Sequence, residues 1–279
     1  MAAFFLIYFC LPSLPQIFLS DLFTDKKSKA LENALTETIT GTLSYNGQRC
    51  TALKLLFIPE EYGESFTEAF VKKVEELPVG LPWQTFGKDK FSKITPLPNQ
   101  KRVEYMKELI DDAVAKGAKI MNKDGGSLVG GSDSTLMVPA VLYPVTPDMR
   151  VYDEEQFGPV IPIALYKDID TVLDFGQSGP YGQQVSIFTS EDASTASSIV
   201  DRFSSVFGKI NLNSQCGRSP DTLPFSGRRS SAMGVMSVSH ALKEFSVPTV
   251  VAYKEDDDLK NAKLVTDIGK SSQFLKSVA

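Results

Sequence analysis

Cysteine and histidine are scarce in this sequence of 279 residues, which has three cysteines (Cys10, Cys50, Cys216) and one histidine, His240. No two cysteines stand in a CxxC spacing, so neither a disulfide framework nor a Cys/His zinc site is expected. So low a count fits a reducing compartment. Charge excess is small as well: 29 Lys and Arg against 34 Asp and Glu give a net charge of −5. No basic block is present to track a phosphate backbone, so nucleic acid is not an expected partner. Long hydrophobic runs are confined to the start. Met1 to Leu19 carries no charge but is interrupted by Pro12 and Pro15. The run before Pro12 is too short to span a bilayer, and the basic start of a secretory signal is missing, so no membrane association is expected. Residues 1–20 read as an apolar segment foreign to the rest of the chain.

The remaining composition is ordinary for a soluble globular chain, 42% hydrophobic and 23% charged, long enough for one large domain or two small ones. Apolar residues at 31, 35, 39 and 43 predict a helix over Ser28–Tyr45, ended by Asn46-Gly47 in a left-handed cap. Thr51–Ile58 reads as a buried strand and Glu61–Leu77 as an amphipathic helix. A second helix is predicted over Lys101–Lys116, with strands at Ala118–Met121, Leu136–Leu142 and Val160–Tyr166. A short helix at Thr171–Phe175 precedes a strand at Gln184–Thr189. Ser190 then caps a helix over Ala193–Phe207, and a strand at Lys209–Asn213 follows. Alternation of this kind predicts an α/β fold with a mainly parallel sheet. Val247–Tyr253 reads as a late, exposed strand before a charged tail over 254–279.

Cys50 stands just after the Gly47 turn and opens the apolar run. A lone cysteine there is most often a small packing residue. Arg49 beside it would favour the thiolate that does nucleophilic chemistry. Asp153-Glu154-Glu155, taken alone, is a solvated acidic turn, and Arg218 in SQCGRSPD a surface arginine. Cys216 reads as a bystander thiol and His240 as a helix histidine.

Four stretches in fixed order change that balance: Gly47-Gln48-Arg49-Cys50-Thr51-Ala52, Glu154-Glu155-Gln156-Phe157-Gly158-Pro159-Val160, Gly208-Lys209-Ile210-Asn211 and Pro224-Phe225-Ser226-Gly227. Together, over residues 28–253, they resemble the aldehyde dehydrogenase superfamily, and in motif the NADP-dependent non-phosphorylating glyceraldehyde-3-phosphate dehydrogenases. The resemblance implies a catalytic domain over 21–246 and an oligomerisation strand at 247–253. It also implies that the dinucleotide-binding domain lies largely outside this chain. Cys50 would be the nucleophile, forming a thiohemiacetal and then a thioester, with its backbone N–H in the oxyanion hole. Glu155 would accept the nicotinamide ribose hydroxyls, and Phe157 would pack beside the nicotinamide of NADP (or NAD). Arg49, Thr51 and Arg218 would contact the aldehyde, with the two arginines on its phosphate.

The family's general-base glutamate lies 34 residues before the nucleophile, which counts back to Gln16, a residue that cannot act as a base. By the same resemblance the chain is expected to be cytoplasmic and to form a homo-oligomer. The alternative is a non-catalytic remnant that associates with a full-length relative.

Overall fold

The computed structural model describes residues 15–25, 27–87, 90–254 and 260–273. The chain divides into two compact units, one ending at Ser237 and the other beginning at Val238.

The first unit is built on seven strands: β1 (Pro15–Phe18), β2 (Leu55–Pro59), β3 (Lys119–Ile120), β4 (Ala140–Val145), β5 (Val160–Tyr166), β6 (Gln184–Phe188) and β7 (Lys209–Leu212). They run in the order β3-β4-β5-β2-β1-β6-β7. Every pairing is parallel except the β3–β4 edge. Parallel strands need crossovers that cover both faces, and the helices provide them. Helices α1 (Lys29–Leu43) and α2 (Gly63–Glu75) bury Leu35, Phe66 and Phe70 against Phe18, Leu56 and Ile58. On the other face lie α3 (Gln100–Ala115), a one-turn α4 (Arg150–Asp153), α5 (Ile169–Ser178) and α6 (Ala193–Phe203). There Met106, Val151, Leu173 and Phe203 pack on Ile17, Leu55 and Phe57. The period of two along β1 and β2 thus sends alternate side chains into two separate cores.

Most predicted elements form within a few residues of their expected bounds, and β5 matches at both ends. Three expectations do not hold. The first set residues 1–20 apart from the body, but Pro15–Phe18 is a central strand, paired with β2 on one side and β6 on the other. Pro12 and Pro15, both ahead of Gln16, read as breakers and hid it, yet Pro15 can open a strand without giving up a needed donor. Gln16 is fully buried in that strand and donates through Nε2 to Thr38 Oγ1 at 2.5 Å. It is a packing amide in the sheet, and residues 1–14 lie outside the described residues.

The second concerns the cap of α6. Asp192 accepts from the Thr195 N–H at 2.9 Å and is the cap in place of Ser190. The N–H groups of Ser190, Glu191 and Asp192 converge instead on the Asp21 carboxylate, at 2.7, 2.5 and 3.0 Å. An aspartate just after β1 therefore satisfies the donors ahead of α6, a long-range contact that a local pattern does not announce.

The third is the strand at 247–253, which is exposed and without regular secondary structure. A strand needs a neighbouring edge to pair with. The expected tail at 254–279 contains α8 (Asn261–Ser271), an exposed helix. In the same second unit, α7 (Val238–Glu244) carries His240, as expected. Among the described residues no helix is long and apolar enough to cross a membrane.

The place of β1 yields a direct test. Phe18 is fully buried, with its ring 4.7 Å from that of Phe66 and 5.3 Å from that of Phe188. Phe18→Ala is expected to cost ~3–5 kcal/mol in urea unfolding. A change of a few tenths would contradict the central position of this strand.

Candidate active site

Parallel strands that share a direction share an edge, and the chain just ahead of β2, β5 and β6 gathers at the amino edge of this sheet. Cys50 precedes β2, Glu155 to Phe157 precede β5, and Gln183 precedes β6. Open α/β sheets usually bind ligands at the carboxyl edge. Here the chemistry-bearing residues lie at the opposite one.

The loop that carries Cys50 begins with three successive left-handed residues, Tyr45, Asn46 and Gly47, at φ 55°, 59° and 69°. They turn the chain sharply out of α1, as the sequence predicted for Asn46-Gly47. Asn46 fixes the turn, donating from Nδ2 to Thr95 O at 2.7 Å and accepting the Thr95 N–H at 2.9 Å. Gly47 is needed for space as well as conformation. A Cβ there would lie 2.5 Å from Gly158 O, so the two motifs meet at backbone contact. Cys50 itself is half-buried in a turn closed by the Ala52 N–H to Arg49 O bond, 3.0 Å long.

The residue that ties this loop to the acidic motif is Lys54. It is 3% exposed. Its Nζ donates to Gly47 O at 2.7 Å and to Gln156 O at 2.8 Å, and lies 5.2 Å from the centre of the Phe157 ring. Gln156 answers by donating from Nε2 to Lys54 O at 2.5 Å and to Val160 O at 3.3 Å. Sequence reasoning did not single out Lys54 or Gln156. The available signal was one lysine inside the otherwise apolar run TALKLLFI, since a fully buried lysine is rare unless it has partners.

Glu155 and Phe157 line an open groove of about 920 Å³, together with Gln48, Lys101, Arg102, Tyr105 and Tyr181. One Glu155 carboxylate oxygen, Oε1, is buried and has no hydrogen-bond partner. An acceptor so placed suits a ligand that brings hydroxyl donors. Among the described residues no cluster suited to a metal ion occurs.

The predicted substrate residues are placed less uniformly. Arg49 Nη2 donates to Thr40 O and Gly41 O, both at 3.2 Å, and to Gln215 Oε1 at 3.1 Å. Its guanidinium thus caps the carbonyls near the end of α1 and fastens the 213–218 loop. Thr51 is buried, 6% exposed. Arg218 is exposed, 3.6 Å from Asp221 and 5.9 Å from the centre of the Phe225 ring. Cys216 is fully buried beside Ser186 Oγ at 3.3 Å, and burial pushes its thiol up to about 12, the state of an unreactive packing residue.

A model of the aldehyde dehydrogenase family matches residues 26–251, and the chain belongs to that family. It is 31% identical over 215 residues to the NADP-dependent glyceraldehyde-3-phosphate dehydrogenase of Streptococcus equinus, an alignment covering 76% of this chain and 42% of that protein. The enzyme of the same name from Pisum sativum is 31% identical over 212 residues, covering 76% and 40%. Among solved structures, that of the NADP-dependent glyceraldehyde-3-phosphate dehydrogenase from Bacillus halodurans C-125 complexed with NADP is 33% identical. It superposes with a TM-score of 0.71 over 82% of this chain and 44% of that one. The chain therefore spans less than half the length of these relatives.

Burial governs the electrostatics of the Lys54–Glu155 pair. It pushes the Glu155 carboxyl up from 4.5 to about 7, against the pull of Lys54 and Arg102. It pushes the Lys54 amine down from 10.5 to about 7, against the attraction of Glu155. Glu155 thus contributes stability that is full below pH 4.5 and lost as pH rises through about 7. Lys54 contributes stability that is full above pH 10.5 and lost as pH falls through about 7. The two groups titrate as a pair, so their contribution to stability changes with pH together. The pH profile of urea midpoints between about pH 5 and about pH 9 is expected to change shape in a Lys54→Met, Glu155→Gln double variant. Profiles of identical shape would contradict the coupling.

Proposed function

We propose that this chain carries the nucleophile and nicotinamide-facing part of an NADP-dependent aldehyde dehydrogenase. The reaction oxidises glyceraldehyde 3-phosphate, with water, to the carboxylic acid. The observation that carries the reading is the close backbone approach of Gly47, in the Cys50 loop, to Gly158, next to Phe157, beside a groove whose buried Glu155 oxygen has no partner.

Cys50 adds through sulfur to the aldehyde carbon, and its own N–H faces the developing oxyanion. Arg49 and Lys54 both lie near enough to attract the thiolate. A bound NADP supplies the hydride acceptor. Towards it, Glu155 accepts ribose hydroxyls, Phe157 offers an aromatic wall, and Lys101 and Arg102 bring positive charge to the groove for phosphates. The thiol ester on Cys50 is then released by water. Arg218, exposed at the end of its loop, is the substrate-phosphate residue of this reading. Arg49, already holding three acceptors, orders the loop around the nucleophile. This reading also takes the protein to be cytoplasmic and a homo-oligomer, as the family resemblance implies.

A second reading is a non-catalytic chain that associates with a full-length relative. It is favoured by Phe245, Val247 and Val250, which are 92%, 93% and 81% exposed in the second unit. Co-purification with an intact relative supports it, and a clean monomer by light scattering counts against it.

The enzymatic reading is tested by NADPH formation with glyceraldehyde 3-phosphate. Cys50→Ser is expected to abolish turnover. Glu155→Gln is expected to weaken NADP binding about tenfold or more, since a hydrogen bond to a charged group contributes ~1.5–3 kcal/mol. Failure of the wild-type chain both to bind NADP and to turn over would eliminate this function for it.

A further inference from the structure

A charged side chain is seldom placed where it touches two functional motifs and no solvent. Lys54 is such a side chain. It follows Cys50 by four positions, and its ammonium reaches across to the motif 102 residues further on. Of its two carbonyl acceptors, Gly47 O belongs to the turn that launches the Cys50 loop, and Gln156 O lies between Glu155 and Phe157. The Phe157 ring is its third neighbour. The charged or titratable groups acting on it are Glu155, Arg49, Cys50 and Arg102. The return bond from Gln156 Nε2 to Lys54 O closes a small ring of contacts, so neither motif can shift without breaking a buried hydrogen bond.

We propose that Lys54 is a positioning residue, a buried latch that fixes the Cys50 loop relative to the Glu155–Phe157 segment and carries ligand-induced ordering from one to the other. The first half concerns the chain alone. The second rests on the reading of the groove as a nicotinamide site. The Phe157 ring and the Gln156 carbonyl both lie on one ammonium group, and that same group holds the turn that launches the Cys50 loop. A lysine suits this place because three N–H donors on a flexible stem can serve acceptors on separate segments. Methionine would fill the volume and leave two buried carbonyls without donors.

The experiment is hydrogen–deuterium exchange by mass spectrometry on the whole chain, with iodoacetamide alkylation of Cys50 alongside. In Lys54→Met, amide exchange is expected to rise about tenfold in both 46–53 and 154–159, while β7 and α6 stay unchanged as a check on the fold. Alkylation of Cys50 is expected to speed up in parallel, and Lys54→Arg, which keeps the donors, to restore most of both. If Lys54→Met does not fold, Lys54→Gln, a shorter neutral donor, is read in the same way. Loosening of 46–53 alone, with 154–159 at wild-type rates, would overturn the latch.

With NADP added, wild-type protection is expected to appear in both segments, and in 154–159 only for Lys54→Met. Equal protection of 46–53 in the variant would overturn the coupling. Absence of any NADP effect in the wild-type chain would overturn the cofactor reading and the coupling that rests on it, while the exchange rates without ligand still decide the latch.

Discussion

One buried ammonium group holds the candidate site together. Lys54 lies at the amino edge of the sheet, out of water, bonded to carbonyls from two motifs that are far apart in sequence. Desolvating an amine is costly, and the cost is offset here by two short hydrogen bonds, an aromatic face and a nearby carboxylate. That balance explains why Lys54 and Glu155 both titrate close to neutrality. It also explains why Gly47 and Gly158 come into backbone contact, since the latch draws the two loops together where a side chain would keep them apart.

The sheet makes the latch possible. Because β2 and β5 are parallel neighbours, the segments that precede them lie side by side at one edge. β1 beside β2 then closes the centre of the sheet, with its alternate residues feeding both cores. Arg49 adds a second tie, from the Cys50 loop to α1 and to Gln215. The Cys50 loop is thereby held from both directions by guanidinium and ammonium groups bonded mainly to backbone carbonyls. In physical terms this is preorganisation, in which the groups are ordered before any ligand arrives.

Much of the fold was legible in the sequence, because periodicity reports which face of an element is buried. The four-residue spacing of α1 and the apolar run of β5 marked those elements directly. The Asn46-Gly47 turn was legible too, since few residues tolerate a left-handed backbone. Contacts that join distant segments were not. Gln16, counted as the position of a missing base, proved to be a packing amide paired with Thr38. Asp21 satisfies donors near α6 from just past the end of the neighbouring strand β1. Arg49, expected on a substrate phosphate, spends Nη2 on protein acceptors, and Lys54 passed as one more residue of a strand. In each case the identity of the partner decides the role, and it becomes visible only once the chain is folded.

The proposed function requires the Cys50 loop and the Glu155–Phe157 segment to form one nicotinamide-facing site. A crystal structure of the chain soaked with NADP tests it most directly. The nucleotide is expected in the groove beside Arg102 and Phe157, with its ribose hydroxyls on the Glu155 carboxylate and Lys54 still bridging Gly47 and Gln156. Nucleotide bound elsewhere, or an empty groove at saturating NADP, would contradict that function for the groove.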